Sequence, residues 1–137
     1  LVAFMPMLMG TGGNSGSQAA TLIIRGLATD EVDTDDAFKI LWKEFRVGII
    51  IGGLLSILNY LRIYFIDGIH NPGIALTVCV SMIFIVIFAK IIGSMIPILV
   101  KKINLDPALI ANPAISSVSD AVALSIYFAM ASIFLNL

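Results

Sequence analysis

The chain has 137 residues, of which 59% are hydrophobic and 12% charged, with a mean hydropathy of +1.04. No soluble domain of this size needs so much apolar surface, so the composition selects an integral membrane protein. A net charge of −1 argues against a nucleic-acid partner, and the lone Cys79 excludes an intrachain disulfide.

No charged n-region with a small-residue cleavage site marks a signal peptide. The chain lacks an initiator Met and starts inside an apolar stretch, so it reads as a fragment of a larger protein. The expected fold is all-α, with four transmembrane helices and a short interfacial amphipathic helix. Each span is judged against the roughly 20 apolar residues that cross a bilayer.

The first span covers about 1–27, apolar at its head and rich in small and polar residues from Gly10 to Thr21. Gly12, Gly16 and Ala20 recur every four residues, a stripe that lets another helix approach closely. Asn14 and Gln18, followed by Arg25, occupy an adjoining face. A polar helix contact and a water-filled pathway both account for that face.

The cytoplasmic connection, about 29–46, begins with Asp30, Glu31, Asp33, Asp35 and Asp36. A solvated loop explains this acidity, and a weak site sensing internal metal is the competing account. Residues 36–45 then read as the interfacial helix, with Trp42 at headgroup level. The second span, about 47–66, carries Gly48 and Gly52 as a packing pair. Asn59 and Arg62 near its outer end read as capping or snorkelling residues.

The third span covers about 73–100, opening at Pro72-Gly73, and the lone His70 lies in the turn before it. The fourth covers about 106–137, with Asp106 as N-cap and Pro107 at the first helical position. Four spans put the 29–46 and 100–106 connections on one side. Arg25, Lys39, Lys43, Arg46, Lys90, Lys101 and Lys102 fall on or near that side, and Arg62 alone on the other. The positive-inside rule makes the first side cytoplasmic, so both ends of the chain face outward across the cell membrane.

The fourth span holds the chemistry. Asp120 precedes the apolar run Ala121–Leu135, and Ser116 and Asn112 lie four and eight residues before it. A helix stacks these oxygens in one column, which Ala123 and Tyr127 are expected to continue. Intramembrane carboxylates face a protein interior or a wet pathway. Pro113 also strips the Leu109 carbonyl of its helical donor. One carboxylate, two neutral oxygens and a freed carbonyl suit a hard cation, and Mg²⁺ in particular keeps several waters when bound. The competing account pairs Asp120 with a basic group that merely locks helices together, Lys90 being the one candidate within a span. Nothing resembles a nucleophile–base pair, a phosphate loop or a Cys/His cluster, so no enzyme is expected.

The stretch Pro6–Ala28, with its Gly12-Gly13-Asn14-Ser15-Gly16-Ser17-Gln18 run, resembles the glycine-rich signature of the MgtE magnesium channel family. Asp106-Pro107-Ala108 and Asn112 through Phe128 are similar to that family's last membrane helix. The resemblance implies an MgtE-like transmembrane pore domain over 1–137. It implies homodimers of five membrane helices per subunit, with a pore lined by the second and fifth, here the first and fourth spans. The essential pore aspartate would then fall on Asp120 and the ion-contacting neighbours on Asn112 and Ser116. Asn14, Gln18, Ala123 and Tyr127 would line the pathway. The family's first helix and its cytoplasmic regulatory domains are missing partners of this chain. Mg²⁺ is the expected cargo, with Mn²⁺ or Co²⁺ as surrogates. The rival functions are a Na⁺- or H⁺-coupled divalent cation exchanger and a non-transporting membrane assembly subunit.

Overall fold

A computed structural model describes residues 1–135, with Ile110 defined by its backbone alone. Four helices follow one another: α1 (Met5–Ala28), α2 (Ala37–Phe65), α3 (Pro72–Lys102) and α4 (Pro107–Leu135). Short 3₁₀ turns at Val2–Phe4 and Thr34–Asp36 precede α1 and α2. No strand occurs among the described residues.

The helix starts follow local chemistry. Asn71 accepts from the Gly73 and Ile74 amides at 2.9 and 3.4 Å, and Pro72 occupies the first turn. Asp106 Oδ1 accepts from the Ala108 amide at 2.9 Å beside Pro107. At the end of α3 the chain turns through Asn104 at φ +60°, while the Leu105 amide donates back to Val100 and the Asn104 amide to Lys101. That is the paired-bond helix stop for which Asn is a tolerated left-handed residue.

Two expectations need correction. Among the described residues three helical segments, rather than four, are long and apolar enough by themselves to cross a membrane: Thr34–Phe65, Pro72–Lys102 and Ala111–Leu135. The polar residues of Gly10–Thr21 leave α1 short of that apolarity, although it is a 24-residue helix. The separate interfacial helix does not exist either, because residues 37–46 are the first turns of α2. The reason lies in a row spaced by four: Ile40, Glu44, Gly48, Gly52 and Ser56 are all buried on one face. The polar stretch therefore continues the packing stripe of the apolar one, and nothing breaks the helix between them. Asn136 and Leu137, the end of the expected fourth span, lie outside the described residues.

Helix α3 is the centre of the bundle. Its apolar window is 61% buried, against 22% for each of the α2 and α4 windows. It packs on α2, α4 and α1, whereas α2 packs substantially on α3 alone. A helix apolar on all sides belongs in such a place. Its row Cys79, Ile83, Ile87 faces α2, and a Cβ built on Gly48 or Gly52 would lie 2.9 Å from the Ile87 Cα or 3.0 Å from the Ile83 Cα. The row Ile85, Ala89, Gly93 faces α1, where a Cβ on Gly12 would lie 2.9 Å from Ile85 Cγ2. A Cβ on Gly93 would fall against the Gly16 backbone, 2.8 Å from its Cα. These partners run in opposite order for α2–α3 and in the same order for α1–α3, so α1 and α3 are parallel and α2 antiparallel to both.

Gly93→Ala is expected to destabilise the bundle by about 1–3 kcal/mol through backbone overpacking. Gly53→Ala, with nothing within 4 Å of the new methyl, should leave it unchanged or raise its thermal midpoint. Melting of the two variants in detergent checks both.

Candidate cation site

The buried residues of α4 recur every four positions: Ala111, Ile115, Ser119, Ala123, Tyr127 and Ala131. Asn112, Ser116 and Asp120 form the adjacent row. Asn112 and Ser116 are exposed and Asp120 is half-buried. The polar column is thus real as a row but its continuation differs from expectation. Stepping three residues from Asp120 to Ala123 crosses onto the buried row, where Ala123 and Tyr127 are each 1% exposed in the core with Leu8, Met82 and Ile85. Tyr127 donates its hydroxyl to the Leu1 carbonyl at 2.9 Å. Keeping the four-residue step leads instead to Leu124, Phe128 and Ser132.

Among the described residues Asp120 has no basic group within ion-pairing distance. Lys90, the partner that a purely structural role would require, is engaged elsewhere. Its Nζ lies 3.7 Å from Glu44 Oε2, with Lys90 5% and Glu44 2% exposed. Sequence reasoning missed this pair. The available signal was Glu44's place in the four-residue row between Ile40 and Gly48.

Asn14 and Gln18 are exposed on α1, on an open face that they share with Ser17, Thr21 and Leu22. The other face of α1 holds the small-residue stripe. Gly12, Gly16 and Ala20 are buried, and a Cβ on Gly16 would lie 3.0 Å from Ile115 Cγ2 and 3.2 Å from Ser119 Oγ. Those two contacts are the residues immediately before Ser116 and Asp120. One backbone crossing therefore fixes α1 and the polar row of α4 relative to each other. Ser119 Oγ is buried there without a hydrogen-bond partner.

No group of three or more His, Cys, Asp or Glu side chains converges among the described residues. Within the acidic connection, Asp36 pairs with Lys39 at 2.9 Å and also accepts the Asp33 amide at 3.3 Å. His70 rests edge-on against Tyr64, with ring centroids 4.8 Å apart. The polar row of α4 then offers a cation one unpaired carboxylate beside exposed neutral oxygens. Such a donor set holds a hydrated ion loosely, since a hard dication held tightly needs more charge and more oxygens.

Residues 5–130 match the family model described as MgtE, divalent cation transporter. The chain belongs to the MgtE family. It is 42% identical over 136 residues to the magnesium transporter MgtE of Thermus thermophilus and 34% identical to that of Bacillus subtilis. A third MgtE magnesium transporter, from Enterococcus faecalis, is 29% identical over 138 residues. Each comparison covers 99% of this chain but 30% of the relative, so the chain spans under a third of their length. With its long apolar helices, this MgtE-family chain is a multi-pass membrane protein.

In a Cys79→Ala background, Asn112→Cys and Ser116→Cys are expected to react with a membrane-impermeant thiosulfonate roughly tenfold faster than Ala111→Cys or Ile115→Cys. Equal rates would show that the exposed row faces lipid rather than water.

Proposed function

We propose that this chain is the pore-forming part of a passive Mg²⁺ channel or transporter, assembled from two copies around an axis lined by α1 and α4. Asp120 without a basic partner carries the reading. A half-buried carboxylate in a membrane helix that locks no neighbour is free to meet a mobile cation. The family description, divalent cation transporter, and the relatives named as magnesium transporters support a divalent cation as cargo, with Mg²⁺ the first choice.

Asp120 of each copy draws the ion and accepts hydrogen bonds from its inner water shell. Asn112, Ser116 and main-chain carbonyls near Pro113 complete a ring around the hydrated ion, and Asn14 and Gln18 face the pathway from α1. Selection then reads the ion together with its water, which disfavours Ca²⁺ with its loose and variable shell. Mn²⁺ and Co²⁺ fit the same ring as surrogates. The donor set supports a site built between copies, because one chain brings a single acid to it.

In this reading α1 also crosses the membrane. It runs parallel to α3, and its 24 residues span about 36 Å at helical rise. Its polar face is covered by the pathway and its small face by α3 and α4. Arg25, Lys39, Lys43, Arg46, Lys101 and Lys102, all exposed, gather at the end of the bundle assigned to the cytoplasm. Trp42, stacked on Phe45 at 5.8 Å, sits at that interface.

Asp120→Asn keeps the shape and removes the charge. It is expected to abolish Mg²⁺ uptake into liposomes and magnesium-dependent growth, while Ser132→Ala, beyond the polar row, keeps wild-type flux. Normal uptake by Asp120→Asn refutes the assignment. A flux requiring a Na⁺ or H⁺ gradient would instead make Asp120 a coupling site.

A further inference from the structure

The pair Glu44–Lys90 lies outside the candidate site and has no part in binding the ion. We infer that it is a register pin, the contact that fixes at which height α2 sits along α3.

Ile40 and Ile63 anchor the two ends of the α2–α3 interface, but the small-residue row between them does not by itself specify that height. The α2 side is Gly48, Gly52 and Ser56, and the α3 side is Ile87, Ile83 and Cys79, in antiparallel order and each spaced by four. Cys79 Sγ reaches the Ser56 carbonyl at 3.5 Å. Slide α2 by one four-residue step, about 6 Å, and the fit repeats. Gly52 would rest on Ile87 and Ser56 on Ile83, or in the other direction Gly48 on Ile83 and Ser56 on Ala75. In each of the three registers at least one glycine meets a branched Ile, so the shape of this row leaves a near-degenerate ladder. One-turn steps of one packed helix along another are a known mode of switching.

Charge removes the degeneracy. Glu44 Oε2 lies 3.7 Å from Lys90 Nζ, and both residues are buried between the helices. Glu44 Oε1 is also 3.6 Å from Lys43 Nζ, but Lys43 is exposed and moves with Glu44 on the same helix. In either slipped register Lys90 loses its counter-charge inside an apolar interface. Removing one partner of a buried pair is far more costly than neutralising both, so the pair contributes specificity more than stability. A lone polar contact that sets helix register is the best-attested use of such groups.

The height of α3 matters beyond α2. Ala89 and Gly93 flank Lys90 in the sequence, and they are the residues against Gly16 of α1. Gly16 in turn touches Ile115 and Ser119, next to Ser116 and Asp120. The consequence for ion flux rests on the proposed function, but the register itself does not.

Disulfide trapping reads the register directly. Ser56→Cys is oxidised with native Cys79, or in a Cys79→Ala background with Ala75→Cys or Ile83→Cys. With Glu44 and Lys90 intact, the Cys79 partner alone is expected to cross-link. In Glu44→Gln/Lys90→Met, cross-linking at Ala75→Cys or Ile83→Cys should rise roughly tenfold relative to it. Should that neutral pair fail to fold, Ile40→Glu/Glu44→Ala moves the carboxylate one step, and the favoured partner should shift to Ala75→Cys. Unchanged trapping at Cys79 in whichever of these variants folds overturns the inference. Mg²⁺ flux is measured alongside with Asp120→Asn as control. Normal flux in Asp120→Asn marks failure of the site assignment, whereas unaltered trapping marks failure of the pin.

Discussion

Lipid gives two apolar helices little reason to prefer each other over acyl chains, so a bundle in a membrane depends on how closely backbones approach. In this chain that constraint concentrates at Gly16 and Gly93. The two helices touch there without an intervening side chain, and Ile115 and Ser119 close on the same point from α4. Three of the four helices thus share one crossing. The polar residues of α1 and α4 flank it, and their relative placement is as rigid as that contact.

Around this crossing the charges divide into two kinds. Glu44 and Lys90 neutralise each other, buried between α2 and α3, with the exposed Lys43 as a second neighbour of Glu44. Asp120 keeps its charge unmatched on a half-exposed face. The separation has a physical logic. A basic group near Asp120 would compete with any cation for the carboxylate, and α3 carries its one deeply placed lysine on the side facing α2.

Much of this arrangement was legible in the residues. Every-fourth-residue spacing of Gly12, Gly16 and Ala20, and of Gly48 and Gly52, marks surfaces for close approach, and all five positions are buried. Asp106-Pro107 and Pro72-Gly73 mark helix starts because their chemistry is local and complete within four residues, although the capping role of Asn71 became visible only in the structure. The errors came from places where the deciding contact lies on another helix. Residues 36–45 look amphipathic by themselves, and nothing nearby reveals that Glu44 finds a lysine forty-six positions away. Ala123 and Tyr127 lie close to Asp120 on an ideal helical wheel. The buried stripe of α4 winds obliquely, following steps of four because it packs against ridges of the same spacing. A wheel drawn for one helix cannot show that tilt.

Helix α1 differs from its neighbours in the origin of its stability. The apolar windows of α2, α3 and α4 are favourable in hydrocarbon whatever surrounds them, but the glycine- and serine-rich middle of α1 gains little from acyl chains. Its place in the bundle is secured by van der Waals contact with protein, through surfaces that only glycine and alanine make available. Any disturbance that widens the seam by even a methyl group therefore loosens this helix before the others. The most polar of the four helices is also the one with the least solvent-independent hold on its position.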